Sequence, residues 1–340
     1  MQISHFFSPA NDKEAKLYTL RGEGGMIAQI SDFGGDIVSI FVPDRYGRLT
    51  DVALGHSQPE NYDGGPYFGA MVGRVANRIG KASFMLNGKE IRITANERGN
   101  TLHGGESYAF RVWDAVPVGE NRLELSLFSP DGDAGFPGNL KIRVIYEILP
   151  DNTLSIDMTA ETDADTIVNL TNHCYFNLSG ENAGPINDHE VAVYADAYQE
   201  VDEELIPTGK LIDVTGTGFD LRHFVRFSDT QKLVPGGFDH SFIMNTPAGT
   251  MRKMASARSL TTGIRLDVSG TDRAVQFYSG SMLNEETMGK NQYLHPNFSG
   301  FCFETQNFVD AINHPEFPSP ILKSGETYHQ VIHYSFSVEK

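Results

Sequence analysis

Residues 140–162 read LKIRVIYEILPDNTLSIDMTAET. Leu140, Ile142, Val144, Tyr146 and Ile148 alternate with Lys141, Arg143 and Glu147, and Ile156, Met158 and Ala160 alternate with Ser155, Asp157 and Thr159. A period of two puts one set of side chains on one face of an extended chain, the pattern of a half-buried antiparallel strand. Pro150, Asp151 and Asn152 supply turn chemistry between the two runs. The spacing predicts strands over 140–149 and 153–162.

The alternation recurs outward from this hairpin. NRLELSLF at 121–128 sets Leu123, Leu125 and Leu127 on one face, and HEVAVY at 189–194 and TYHQVIHYSFSV at 327–338 follow the same rule. Asn87-Gly88, Asp131-Gly132 and Gly184-Pro185 mark further turns, and the frequency of glycine, 34 of 340 residues, suits many of them. Sustained 3.6-residue periodicity is absent; residues 107–113 and 284–290 have room for a turn or two of helix. No repeat, low-complexity tract or linker interrupts the chain. The expectation is a single all-β domain over residues 1–340, large antiparallel sheets packed face to face as a β-sandwich, with few short helices.

The charge balance narrows the function. A formal net charge of −17 opposes phosphate backbones and anionic lipid, so neither nucleic acid nor a membrane is an expected partner. Two cysteines, Cys174 and Cys302, exclude a disulfide scaffold. No basic and apolar leader opens the sequence and no apolar run nears the roughly 20 residues of a membrane span, which makes the cytoplasm the expected location. The 11 histidines show no H-x-H, H-E-x-x-H or Cys-His ligand spacing, so no metal is expected. The Gly-Lys pairs at 80, 88, 209 and 289 lead into Ala82, Glu90, Leu211 and Asn291, which leaves a nucleotide-phosphate cradle without support. HGGESYA at 103–109 ends on Ala109 where a nucleophile elbow needs glycine, and its surroundings are all β.

Several short polar segments are out of character for a packed sheet. VNLTNHCYFNLSG at 168–180 reads as a strand with Asn169, Thr171, His173 and Tyr175 on one face and Leu170, Asn172, Cys174 and Phe176 on the other. A polar face on a buried strand is either networked or lines a cleft. GRVANRI at 73–79 offers arginine forks, and NTLHGG at 100–105 sets His103 before two glycines. FCFETQNFVD at 301–310 places Glu304 among aromatics, where desolvation raises a carboxyl toward the range of a general base. GGFDHS at 236–241 adds Asp239, and VQFY at 275–278 adds Gln276. A carboxylate, an imidazole, amides, an arginine and aromatics form the inventory of a sugar site.

GRVANRI, NTLHGG, NLTNHCYFNL, GFDH and ETQNFVDAINHPEFPSPIL resemble, in order, the signature segments of the aldose 1-epimerases, the galactose mutarotases. The resemblance implies a galactose-mutarotase-like supersandwich and interconversion of the α and β anomers of free hexoses such as galactose and glucose. It implies Glu304 as general base and His173 as general acid, with Asn77, Arg78, His103, Tyr175, Asp239 and Gln276 in contact with the sugar. It implies no cofactor, and the enzyme works as a monomer or homodimer on a small monosaccharide. Val309, Ala109 and Cys174 depart from the family pattern, but none removes a proton-carrying group. Asp239 is expected near His173, holding the imidazole protonated. A hexose-6-phosphate mutarotase, a glycosidase built on Asp239 and Glu304, and a non-catalytic sugar-binding module are the alternatives.

Overall fold

The computed structural model describes residues 1–10, 12–284 and 288–339. The predicted hairpin is the middle of a nine-stranded sheet. Its order is Asp114–Val118, Arg122–Ser129, Leu140–Leu149, Thr153–Thr162, Thr327–Val338, Ile264–Gly270, Arg252–Ser259, His189–Val193 and Val225–Arg226. Leu149 pairs with Thr153 and Leu140 with Thr162, so the two long strands run in full register, and every strand pair of this sheet is antiparallel. The alternation fixes that register, because a slip of one residue would turn Val144 and Tyr146 to solvent.

A five-stranded sheet, Pro207–Asp213, Ala197–Val201, Asp239–Ile243, Ala274–Tyr278 and Cys302–Gln306, faces the large one. Val144, Tyr146, Ile156, Leu266 and Tyr334 of the large sheet and Phe242, Val275, Phe277 and Phe303 of the smaller sheet share one buried cluster. Each such side chain removed from water contributes about 1.5–3 kcal/mol. A second five-stranded sheet from the N-terminus, Gln2–Phe7 to Leu49–Asp51, adds Leu20, Ala28, Ile30 and Ile40 to that cluster. The architecture is the expected antiparallel β-sandwich.

Two expectations change. Residues 168–180 do not form one strand. Only Thr171–Asn172 enters a ladder, with Met71–Val72, while Asn169 bridges Val75 and Phe176 bridges both Ala53 and Phe301. The segment is extended, but its backbone groups are divided among several neighbours, so it threads between sheets. Among the described residues the α-helix is Phe227–Leu233, which the sequence reading did not single out. Its seven residues are too few to show a helical period. The turn expected in 107–113 is a 3-10 turn at Tyr108–Phe110. In 284–290, residues 285–287 lie outside the described residues, and the 3-10 turn found begins at Lys290. No helix among the described residues is long and apolar enough to cross a membrane.

Candidate active site

The face of the five-stranded sheet opposite the core is polar. Pleating sends Phe303 into the core and Cys302 and Glu304 the other way. Ser241 pairs with Gln276 and Gln276 with Glu304, so these three side chains form a row across three strands. Each keeps one buried oxygen without a hydrogen-bond partner: Ser241 Oγ, Gln276 Oε1 and Glu304 Oε2. Ser241 and Gln276 line a small pocket beside Asp239, and Glu304 lines a larger one.

A cleft of about 240 Å³ opens on this face. Glu304 and Asp239 line it from the sheet, His173 and Tyr175 from the threaded segment, and Asn77, Arg78 and His103 from the side. These last three come from the Arg78–Ile79 and Thr101–Leu102 strand pair and its flanks. Asn77 (φ 61°) and His103 (φ 50°) hold left-handed backbone, a strain that gathers at functional sites. Gly104 follows because a Cβ there would lie 2.4 Å from the Gly73 carbonyl oxygen. Gly104 therefore lets the two backbones touch, and Gly105 makes room for Thr94.

Glu304 is 2% exposed and His173 6% exposed, and His173 Nε2 lies 3.7 Å from Glu304 Oε1. Burial pushes the His173 imidazole down to about 4. Burial and then the neighbouring Asp239 push the Glu304 carboxyl well above the usual carboxylate range, while Arg78 opposes the rise. Both shifts disfavour charge, so burial favours the arrangement in which the carboxyl keeps its proton and the imidazole is neutral, one titratable proton for the pair. His173 is stacked between the rings of Tyr175, with centroids 5.0 Å apart, and Tyr67, at 6.0 Å. Its Nδ1 faces Cys302 Sγ at 3.5 Å.

Arg78 donates to Glu97 through Nε at 2.6 Å and Nη2 at 2.9 Å, a two-pronged pair, and its Nη1 lies 3.9 Å from Asp239 Oδ2. His103 Nδ1 accepts from the Asn77 N–H at 3.2 Å, and burial holds this imidazole neutral, which leaves Nε2–H as a donor. Gln276 does not line the main cleft. It sits behind Asp239 and donates to its Oδ1 at 2.6 Å.

The structure thus brings seven of the eight expected site residues to one cleft and places Gln276 directly behind it. Asp239 and His173 do not form the ion pair anticipated; the carboxylate beside His173 is Glu304. Of the polar face of 168–180, only His173 and Tyr175 reach the cleft. Thr171 Oγ1 donates to the Thr305 carbonyl and Asn169 Oδ1 accepts from Asn307 N–H, both serving the backbone. Sequence reasoning missed Glu97, whose only signal is an acidic side chain in the polar run Asn96-Glu97-Arg98-Gly99-Asn100 just before LHGG.

A carboxyl and an imidazole buried side by side at the floor of a polar, aromatic-walled cleft suit an enzyme that moves protons on a small hydroxylated ligand. Residues 16–335 match the aldose 1-epimerase family, and the chain belongs to that family: it is an isomerase of the epimerase class with mutarotase activity. The galactose mutarotase of Homo sapiens is 44% identical over 313 residues, covering 91% of this chain and 90% of the human protein. The aldose 1-epimerase of Escherichia coli K12 is 35% identical over 335 residues, covering 95% and 96%. A solved aldose epimerase homologue from C. elegans superposes with a TM-score of 0.89 at 28% identity, covering 96% of this chain and 100% of that one.

Proposed function

We propose that the whole chain acts as one catalytic unit interconverting the α and β anomers of free hexoses, galactose and glucose among them, with Glu304 as base and His173 as acid. The observation that carries this is the 3.7 Å approach of His173 Nε2 and Glu304 Oε1 on the cleft floor, with Glu304 Oε2 free to accept. The hydroxyl oxygen and ring oxygen of a hemiacetal sit on one carbon, C1. Two groups this close each reach one of them.

Sugar hydroxyls donating to Glu304 stabilise its carboxylate, and the pair's single proton then rests on His173. Glu304 removes the proton of the C1 hydroxyl while His173 protonates the ring oxygen. The C1–O5 bond breaks and an aldehyde forms. Rotation about C1–C2 presents the other carbonyl face, the ring closes, and each proton returns to its donor. Each transfer contributes roughly 10²–10⁴-fold. No electrons leave the system, so the proton pair is sufficient chemistry. Arg78, His103 Nε2–H and Asn77 supply donors for the remaining hydroxyls, and Tyr67 and Tyr175 face the apolar C–H surface. Arg78 is the cation that lines the described cleft and Glu97 already engages it, so nothing favours a phosphorylated sugar.

Magnetisation-exchange NMR of α- and β-galactose tests the proposal. The expected result is exchange accelerated by the wild type and lost in Glu304→Gln and His173→Asn, each of which still binds sugar. A variant with near wild-type turnover removes that residue from its role.

A further inference from the structure

His173, Cys302 and Glu304 are all buried, and a nitrogen, a sulfur and a carboxylate oxygen from them lie within 4.8 Å of one another. We propose that this trio is a chelating site for a thiophilic divalent cation, zinc or cadmium, and that the bound ion shuts the enzyme off. The ligands are far apart in sequence, with a separation of 129 positions from His173 to Cys302, which is why no spacing motif announces them.

The geometry is close to what zinc requires. Bonds of about 2.3 Å to sulfur and about 2.0–2.2 Å to nitrogen and oxygen, set tetrahedrally, put donors about 3.4–3.6 Å apart. His173 Nδ1 and Cys302 Sγ already stand at 3.5 Å, whereas the short Glu304 contact, 3.7 Å, is to the other ring nitrogen, Nε2. One ion takes one ring nitrogen, so the three donors it would share lie within 4.8 Å of one another, and binding requires the Glu304 side chain or the His173 ring to turn and close that triangle. The fourth position faces the cleft and takes a water or a sugar oxygen.

Charge and chemistry agree with the geometry. Coordination releases the thiol proton to solvent, since a metal-bound thiol is deprotonated. Thiolate and carboxylate then neutralise the ion's two charges inside a buried pocket. Asp239 adds a favourable field, whereas Arg78 is already paired with Glu97. Sulfur selects zinc or cadmium over magnesium and calcium, which prefer oxygen. Glu304, 2% exposed, keeps Oε2 without a hydrogen-bond partner, so the carboxylate has a free oxygen that an ion or a sugar hydroxyl can take. The binding claim stands on geometry alone; the inhibition claim rests on the catalytic reading above.

The test uses the intact enzyme, freed of metal with a chelator. Cadmium titration followed by the thiolate-to-metal charge-transfer band reads binding, and zinc titration of anomer exchange reads inhibition. The expected result is a band at one equivalent in the wild type and in Cys174→Ser, lost in Cys302→Ser. Half-inhibition by zinc should move up about tenfold or more in Cys302→Ser, with magnesium inert throughout. A missing band in the wild type, or equal zinc sensitivity in Cys302→Ser, overturns the site. A Cys302-dependent band with turnover intact keeps the site and overturns the roles given to His173 and Glu304.

Discussion

The motif GRVANRI holds two buried arginines, and replacing each with methionine should have opposite consequences. Arg74 is 2% exposed and faces away from the cleft. It donates to Tyr108 Oη at 3.2 Å, to the Pro137 and Gly138 carbonyls at 2.8 and 3.0 Å, to Thr166 Oγ1 at 3.1 Å and to Ser129 Oγ at 2.6 Å. Arg74→Met leaves these buried acceptors unsatisfied. At about 1 kcal/mol each, the loss is about 3–5 kcal/mol, a large part of a typical stability of about 5–15 kcal/mol. With an unfolding entropy of about 2.1 cal/mol/K per residue over 340 residues, the midpoint should fall by about 4–7 °C. Arg78→Met frees Glu97, which reaches solvent and rehydrates, so the stability cost should stay near 1 kcal/mol. Its effect is on turnover, where losing a charged donor from the cleft should lower kcat/KM by roughly 10–100-fold. Differential scanning calorimetry and anomer-exchange kinetics on both variants decide. If Arg74→Met melts normally, or Arg78→Met melts as early as Arg74→Met, the division into a structural and a functional arginine is wrong.

Other outcomes follow from the same geometry. The His173–Glu304 pair should give a bell-shaped kcat/KM profile. Its acid limb lies near 4, where His173 takes a second proton into the pair, and its alkaline limb lies at the raised Glu304 value, where the last proton leaves. Steady-state rates of the wild type across the range where circular dichroism shows a folded chain read it, and a profile with no fall toward pH 4 would refute the assignment. Gln276→Leu removes the 2.6 Å donor behind Asp239 and should lower kcat/KM about 10–100-fold, mainly through KM; a collapse of kcat as deep as that of Glu304→Gln would put Gln276 in contact with the reacting atoms. Asp272, remote from the cleft, is pushed up to about 7 by burial. A raised carboxyl stabilises the fold below its unfolded value near 3.8 and loses that contribution as pH rises through about 7. Asp272→Asn should therefore gain on the wild type by about 4 kcal/mol between pH 4 and pH 8 in urea unfolding; parallel curves would refute the shift.

The long strands were legible to the residue because period-two alternation and turn chemistry act locally. Residues 140–149, 153–162 and 327–338 begin and end where the pattern does. Residues 168–180 were legible as extended but not as divided, because which neighbour takes each backbone group is a tertiary fact. Glu304 and His173 were singled out through motif order, while the 3.7 Å between them was not legible. Gln276 was read as a sugar contact, and pleat direction alone does not reveal that Asp239 stands in front of it. Glu97 and the His173–Cys302 approach arise from residues that only folding brings together.

The register of Cys302–Gln306 has a further consequence. Glu304 reaches the cleft because it occupies an even position in a pleat whose odd neighbour, Phe303, plugs the core. Inserting or deleting one residue upstream on that strand would swap the two, putting a carboxylate into hydrocarbon and a phenyl ring where the sugar belongs. Glu304 is thus guarded by parity: loops around the cleft can lengthen or shorten, but the strand beneath them can change length only in steps of two.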